Sequence, residues 1–82
     1  MRRVSTLIGG LVVSVEIHPS PSPEGPGAGV AITGSMEGAE VAGTLQDLFS
    51  RGMIATKDGD RQVRVPEPLI AEIDDWCMQY LF

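Results

Sequence analysis

The chain contains one histidine, His18, and one cysteine, Cys77, the residue types most suited to act as base and nucleophile near neutral pH. His18 precedes a proline at the end of a strand-like run, the setting of a solvated loop residue rather than of a base. A Cys–His pair would need its thiol in an electropositive, partly exposed place, and Asp74 and Asp75 stand close to Cys77 in sequence. Metal binding requires several convergent ligands, and no Cys/His spacing supplies them. "DGD" at 58–60 begins like a calcium loop but lacks the remaining ligands and the distal glutamate, so it reads as a turn. Asp74 and Asp75 are neighbours on a helical pattern and point about 100° apart, too far to share a substrate proton. "GPGAG" at 25–29 follows prolines and opens no helix, so it is not a phosphate cradle. These residues lead to an expectation of a non-enzymatic protein with no catalytic residue, cofactor or metal.

The whole chain, 82 residues, has room for one core, so a single domain over 1–82 is expected. An apolar fraction of 43% is enough to fold and too high for a disordered chain. The net charge of −5 opposes general binding to nucleic acid or to an anionic membrane, which takes clustered Lys and Arg. Four of the six basic residues, Arg51, Lys57, Arg61 and Arg64, fall in 51–65 between two acidic stretches. One cysteine inside an apolar run points to a packed thiol in a reducing, cytoplasmic compartment. Arg2 and Arg3 before an apolar run imitate a signal peptide, but Glu16 interrupts the run and no small-x-small site follows. No window reaches the ~18 apolar residues of a membrane span, so no insertion is expected.

From Leu11 to Ile17 apolar residues alternate strictly, the period of a half-buried strand. "AGVAITGS" supplies a second strand, and the proline- and glycine-rich stretch 18–29 between them reads as a long, stiffened hairpin loop. Its prolines, Pro21, Pro23 and Pro26, lower the entropy lost on docking and are candidate partner contacts. Val41, Leu45, Leu48 and Phe49 fall at i, i+4, i+7 and i+8, predicting a helix over 39–51 with Gly52 as its left-handed cap. Residues 53–65 read as a hairpin turned by Asp58-Gly59, and Pro68 sits near the first turn of a second helix. The result is an α+β fold: a small antiparallel sheet in ββαββα order with two helices packed on one face.

Winding 69–82 as a helix separates two stripes. Leu69, Ile70, Ile73, Trp76, Cys77, Tyr80 and Leu81 span about 140°, wide enough to face a sheet. Ala71, Met78 and Phe82 make a narrower stripe between Asp74 and Asp75, suited to an apolar anchor with a polar rim.

"TLQDLFSRGMIATKDGDRQVRV" resembles the last helix and wing of a winged-helix protein, which implies a DNA-binding regulator using the helix 39–51 and the basic hairpin 53–65. The chain departs from that family in having no three-helix cluster before the wing. Residues 45–82 resemble in outline the small docking domains at the ends of megasynthase subunits, which implies binding of short partner segments. In type, the chain is similar to phage-encoded proteins that bind and disable a host protein. The leading expectation is a protein-binding module, a small inhibitor, adaptor or accessory factor that occupies a partner's surface. Its candidate contacts are Met78, Phe82, Asp74, Asp75 and the three loop prolines, with a second copy of the chain as one such partner. The alternatives are the DNA-binding regulator and a self-assembling subunit whose strand 11–17 pairs between chains.

Overall fold

The computed structural model describes residues 2–17 and 28–81. Eight elements follow one another: β1 (Arg2–Ile8), β2 (Leu11–Ile17), β3 (Ala28–Met36), β4 (Ala39–Thr44), α1 (Leu45–Arg51), β5 (Met53–Ala55), β6 (Gln62–Arg64) and α2 (Glu67–Leu81). The first four strands form an antiparallel meander in chain order, and β5 and β6 form a separate two-stranded hairpin. That hairpin lies along β4: Val41 bridges to Thr56, and the Lys57 N–H donates to the Glu40 carbonyl.

The α+β class expected from the sequence is the class found. The elements expected in ββαββα order are β2, β3, α1, β5, β6 and α2, and the chain adds β1 before them and β4 after β3. β2 is central, paired on one side with β1 and on the other with β3, so the strand expected to pair between chains has both edges occupied. The helix expected over 39–51 is only Leu45–Arg51, because 39–44 is strand β4. Its start is set by a capping box. Thr44 Oγ1 accepts from the Asp47 N–H at 3.3 Å, and Asp47 Oδ2 accepts from the Thr44 N–H at 2.9 Å. The expected cap at Gly52 is present at φ 66°, its N–H donating to the Leu48 carbonyl. His18, Pro21, Pro23, Pro26 and Phe82 lie outside the described residues.

Two tight turns set the register of the meander. Gly9 and Gly10 (φ 56° and 85°) join Ile8 to Leu11, and Glu37 and Gly38 (φ 51° and 76°) join Met36 to Ala39. Positive φ at both central positions is the type I′ turn, whose twist matches that of the strands it connects. The resulting register stacks Ile8 on Leu11, Val13 on Ile32 and Val15 on Val30, which puts one apolar face under the helices. Leu11, Val13, Val15, Ile32, Val41, Leu48, Ile54, Val63, Ile73 and Cys77 form its buried centre. The opposite face is mostly small or polar, with Ser5, Ser14, Ala31, Thr33, Ala42 and the Arg3–Glu16 ion pair, but it also exposes Leu7 and Val12, which stand opposite each other on β1 and β2.

Gly34 is the tightest point of the sheet. A Cβ there would stand 2.5 Å from the Gly10 carbonyl oxygen and 2.9 Å from Leu11 Cα, both backbone atoms that cannot yield separately. Its φ of 154° adds strain for any L side chain. Gly34→Ala is expected to cost about 3 kcal/mol, combining overpacking and backbone strain, as measured by urea unfolding.

Candidate functional site

The ends of α1 and α2 are tied together by main chain. The Val65 N–H donates to the Gly52 carbonyl at 2.9 Å, and the Leu69 and Ile70 N–H groups donate to the Pro66 carbonyl as α2 begins. This clamp holds the two helices around an open cleft of about 430 Å³. Leu48, Val65 and Ile70 give it apolar walls. Arg51 and Arg64 enter from α1 and β6, and Glu67 and Asp74 enter from α2. Both signs of charge therefore border one apolar depression. None of these four groups makes a salt bridge among the described residues, so each is available to a partner.

Large apolar side chains lie on both helices at the surface. Phe49, lining the cleft from α1, is 55% exposed, and Met78 on α2 is 46% exposed. Met78 follows Asp74 by four residues, so it continues the cleft-facing row of α2 by one turn. Of the stripe expected on α2, Ala71 and Met78 are exposed, Asp75 is exposed and Asp74 is half-buried. The wide face of α2 is inward as expected: Ile73 and Cys77 are fully buried, and Leu69, Ile70, Trp76 and Tyr80 pack against the core. Trp76 and Tyr80 lie 4.9 Å apart, centroid to centroid, at a tilted 55°.

Phe49, Arg51, Arg64 and Ile70 were not among the binding residues expected from the sequence. Periodicity placed Phe49 on the core face together with Val41 and Leu45. With Val41 in a strand, the buried side of the short helix centres on Leu48, and Phe49, one residue on, turns to the rim.

Cys77 and Asp58 are both engaged in the fold. Burial raises the Cys77 thiol to about 11, with a further push from the charge of Asp74, so it is protonated at neutral pH. Asp58 accepts from the Asp60 N–H at 2.9 Å and from Thr56 Oγ1 at 2.7 Å. Those bonds hold its carboxyl below the ordinary carboxylate value, and the loop they organise runs from Thr56 to Arg61, longer than a two-residue turn. Among the described residues no three His, Cys, Asp or Glu side chains gather as a metal site, and no helix is long and apolar enough to cross a membrane. The winged-helix resemblance implied DNA binding through a helix over 39–51 and the basic hairpin 53–65. Here the helix has seven residues and is preceded by a strand, while Arg51 and Arg64 sit beside Glu67 and Asp74.

Comparison with protein families, with curated proteins and with solved structures finds no match to this chain.

The Cys77 thiol gives a direct check on α2 packing. In the unfolded chain it ionises near its ordinary value, about 8.5, and in the folded chain only near 11. Between those values the unfolded state binds fewer protons, so stability is complete below about pH 8.5 and falls as pH rises towards 11. The slope contributed by this group should vanish in Cys77→Ala, compared with the parent by denaturant titration across that window.

Proposed function

We propose that this chain is a non-enzymatic protein-binding module, a small inhibitor, adaptor or accessory factor that acts by occupying a partner's surface. The cleft between α1 and α2 is its binding surface. The observation that carries this reading is the exposure of Phe49 and Met78 on the two helices bordering a depression already lined by Leu48, Val65 and Ile70. An apolar site with a charged rim is the usual composition of a protein-recognition patch, in which a few large side chains supply most of the affinity. The fitting partner segment inserts one apolar side chain between Phe49 and Ile70. It meets Glu67 and Asp74 with a cation, and Arg51 or Arg64 with a carboxylate. The helix–hairpin–helix order behind the megasynthase docking resemblance is present as α1, β5–β6 and α2, and supports the same use. The setting that suits the lone, packed thiol of Cys77 is a reducing, cytoplasmic one.

The test is the pair Phe49→Ser with Met78→Asp. Both side chains are exposed, so unfolding free energy should change by no more than about 0.5 kcal/mol per site. A partner captured by the tagged parent from its native cell should be lost by the double variant. Titration of the purified partner should then show affinity reduced at least about tenfold. Equal affinity for parent and variant would remove the cleft from the binding surface.

A further inference from the structure

The four-stranded sheet has two edges, and the structure treats them differently. β4 is covered by the β5–β6 hairpin through the Val41–Thr56 bridge and the bond from the Lys57 N–H to the Glu40 carbonyl. β1 pairs with β2 on one side and, among the described residues, with no strand on the other.

The turn fixes which backbone groups of β1 remain free. A two-residue loop makes its flanking residues, Ile8 and Leu11, a hydrogen-bonded pair, and such pairs then alternate along an antiparallel ladder. The Ser35 N–H, donating to the Gly10 carbonyl, agrees with this phase, since the even-numbered residues beyond the turn bond towards β3. Arg2, Val4, Thr6 and Ile8 therefore bond to β2, and Arg3, Ser5 and Leu7 turn their N–H and C=O groups outward. The usual protections of an edge are missing at its centre. There is no proline or bulge in β1, and its charges are confined to Arg2 and Arg3 at one end.

We propose that β1 is a self-association edge that pairs antiparallel with β1 of a second copy, with Ser5 opposite Ser5 across a two-fold axis. Register and charge select this occupant. Ser5 opposite Ser5 places Arg3 opposite the second copy's Leu7, so all three outward-facing residues are paired. Shifting towards Arg3 opposite Arg3 stacks like charges, and centring on Leu7 leaves Arg3 and Ser5 unpaired. In the proposed register the arginine stem can lie over Leu7, a large apolar residue that is 70% exposed in the single chain. On the core face Val4 comes opposite Thr6 of the second copy, and both are only half-buried at present. The contact is closed: it consumes the open edge of each copy while both β4 edges stay covered, so it yields a dimer and not a fibre. This inference stands apart from the α1–α2 cleft, which involves neither β1 nor its register.

Cysteine cross-linking reads the register. Opposite Ser5 residues would have Cα atoms about 5.5 Å apart, within disulfide range. Two Leu7 residues would be offset by four positions, about 14 Å, and out of range. Under mild oxidation Ser5→Cys is expected to form a disulfide dimer at least about tenfold faster than Leu7→Cys. The native thiol, Cys77, is buried and should not compete. Sedimentation of the parent should rise from 8.7 kDa towards twice that mass as concentration increases to about 1 mM. Ser5→Pro removes only an outward N–H, so it should keep the parent's circular dichroism yet remain at 8.7 kDa. If Ser5→Pro does not fold, the two cysteine variants decide. Cross-linking of Leu7→Cys as fast as Ser5→Cys, or a parent that stays monomeric throughout, would overturn the proposal. Phe49→Ser with Met78→Asp should leave the dimer mass unchanged, which separates this edge from the cleft.

Discussion

Burial of Leu11, Val13 and Val15 beneath Ile73 and Cys77 of α2 is the interaction on which the rest of the molecule depends, because all five are sealed from solvent. Among the described residues β2 packs against α2 and pairs on both edges, so it transmits that contact to β1 and β3. A sheet with one apolar face and one polar face can be stabilised from one side only, and a single helix is too narrow to cover four strands. α1 and the β5–β6 hairpin therefore cover the β3–β4 half, closing over Ile32 and Val41 with Leu48 and Ile54. The cleft between α1 and α2 is the seam where these two covers meet. Its apolar walls follow from the same requirement: Leu48, Val65 and Ile70 face inward for the core and border the gap as well.

The parts of the fold legible in the sequence were those whose local signal agreed with their tertiary role. Leu11 to Ile17 alternates because β2 is covered on one face only. Gly52 ends α1 because a left-handed residue there lets its N–H reach Leu48. β4 was hidden by coincidence: Val41, Leu45 and Leu48 match a helical period although Val41 belongs to a strand. The opposing signal was Thr44 followed three residues later by Asp47, a capping pair that starts a helix at Leu45. β1 was obscured because Leu7, on the polar face, adjoins Ile8, on the apolar one, and breaks the alternation. Glu37-Gly38 is a weaker turn signal than Asn-Gly, since an ordinary glutamate takes the positive φ.

The candidate site was legible in the same partial way. Winding α2 separates Met78 from the face of Ile73 and Cys77 regardless of neighbours, so its exposure follows from helical geometry. Phe49 could not be placed similarly. Its orientation depends on where α1 begins and on what the hairpin covers, and those are tertiary facts. The gathering of Arg51, Arg64, Glu67 and Asp74 around one depression depends on the Gly52–Val65 main-chain bond, which no side-chain pattern announces.

The meander joins each strand to the next through short connections or, between β2 and β3, through 18–27, so its contacts are local in sequence and favour rapid formation. The cover arrives later. At roughly 5–20 residues per second, the ribosome completes β4 about 2–7 s before it has made all of α2. During that interval a sheet bearing Leu11, Val13, Val15 and Ile32 has an apolar face with no lid, together with the open side of β1. Nascent chains on neighbouring ribosomes of one message would be most prone to stick to one another at this stage. The far side of the sheet offers less to such contacts, since Ser5, Ser14, Thr33 and the Arg3–Glu16 pair leave only Leu7 and Val12 as large apolar groups there, and that hydrophilic surface would aid solubility during synthesis as much as in the finished protein.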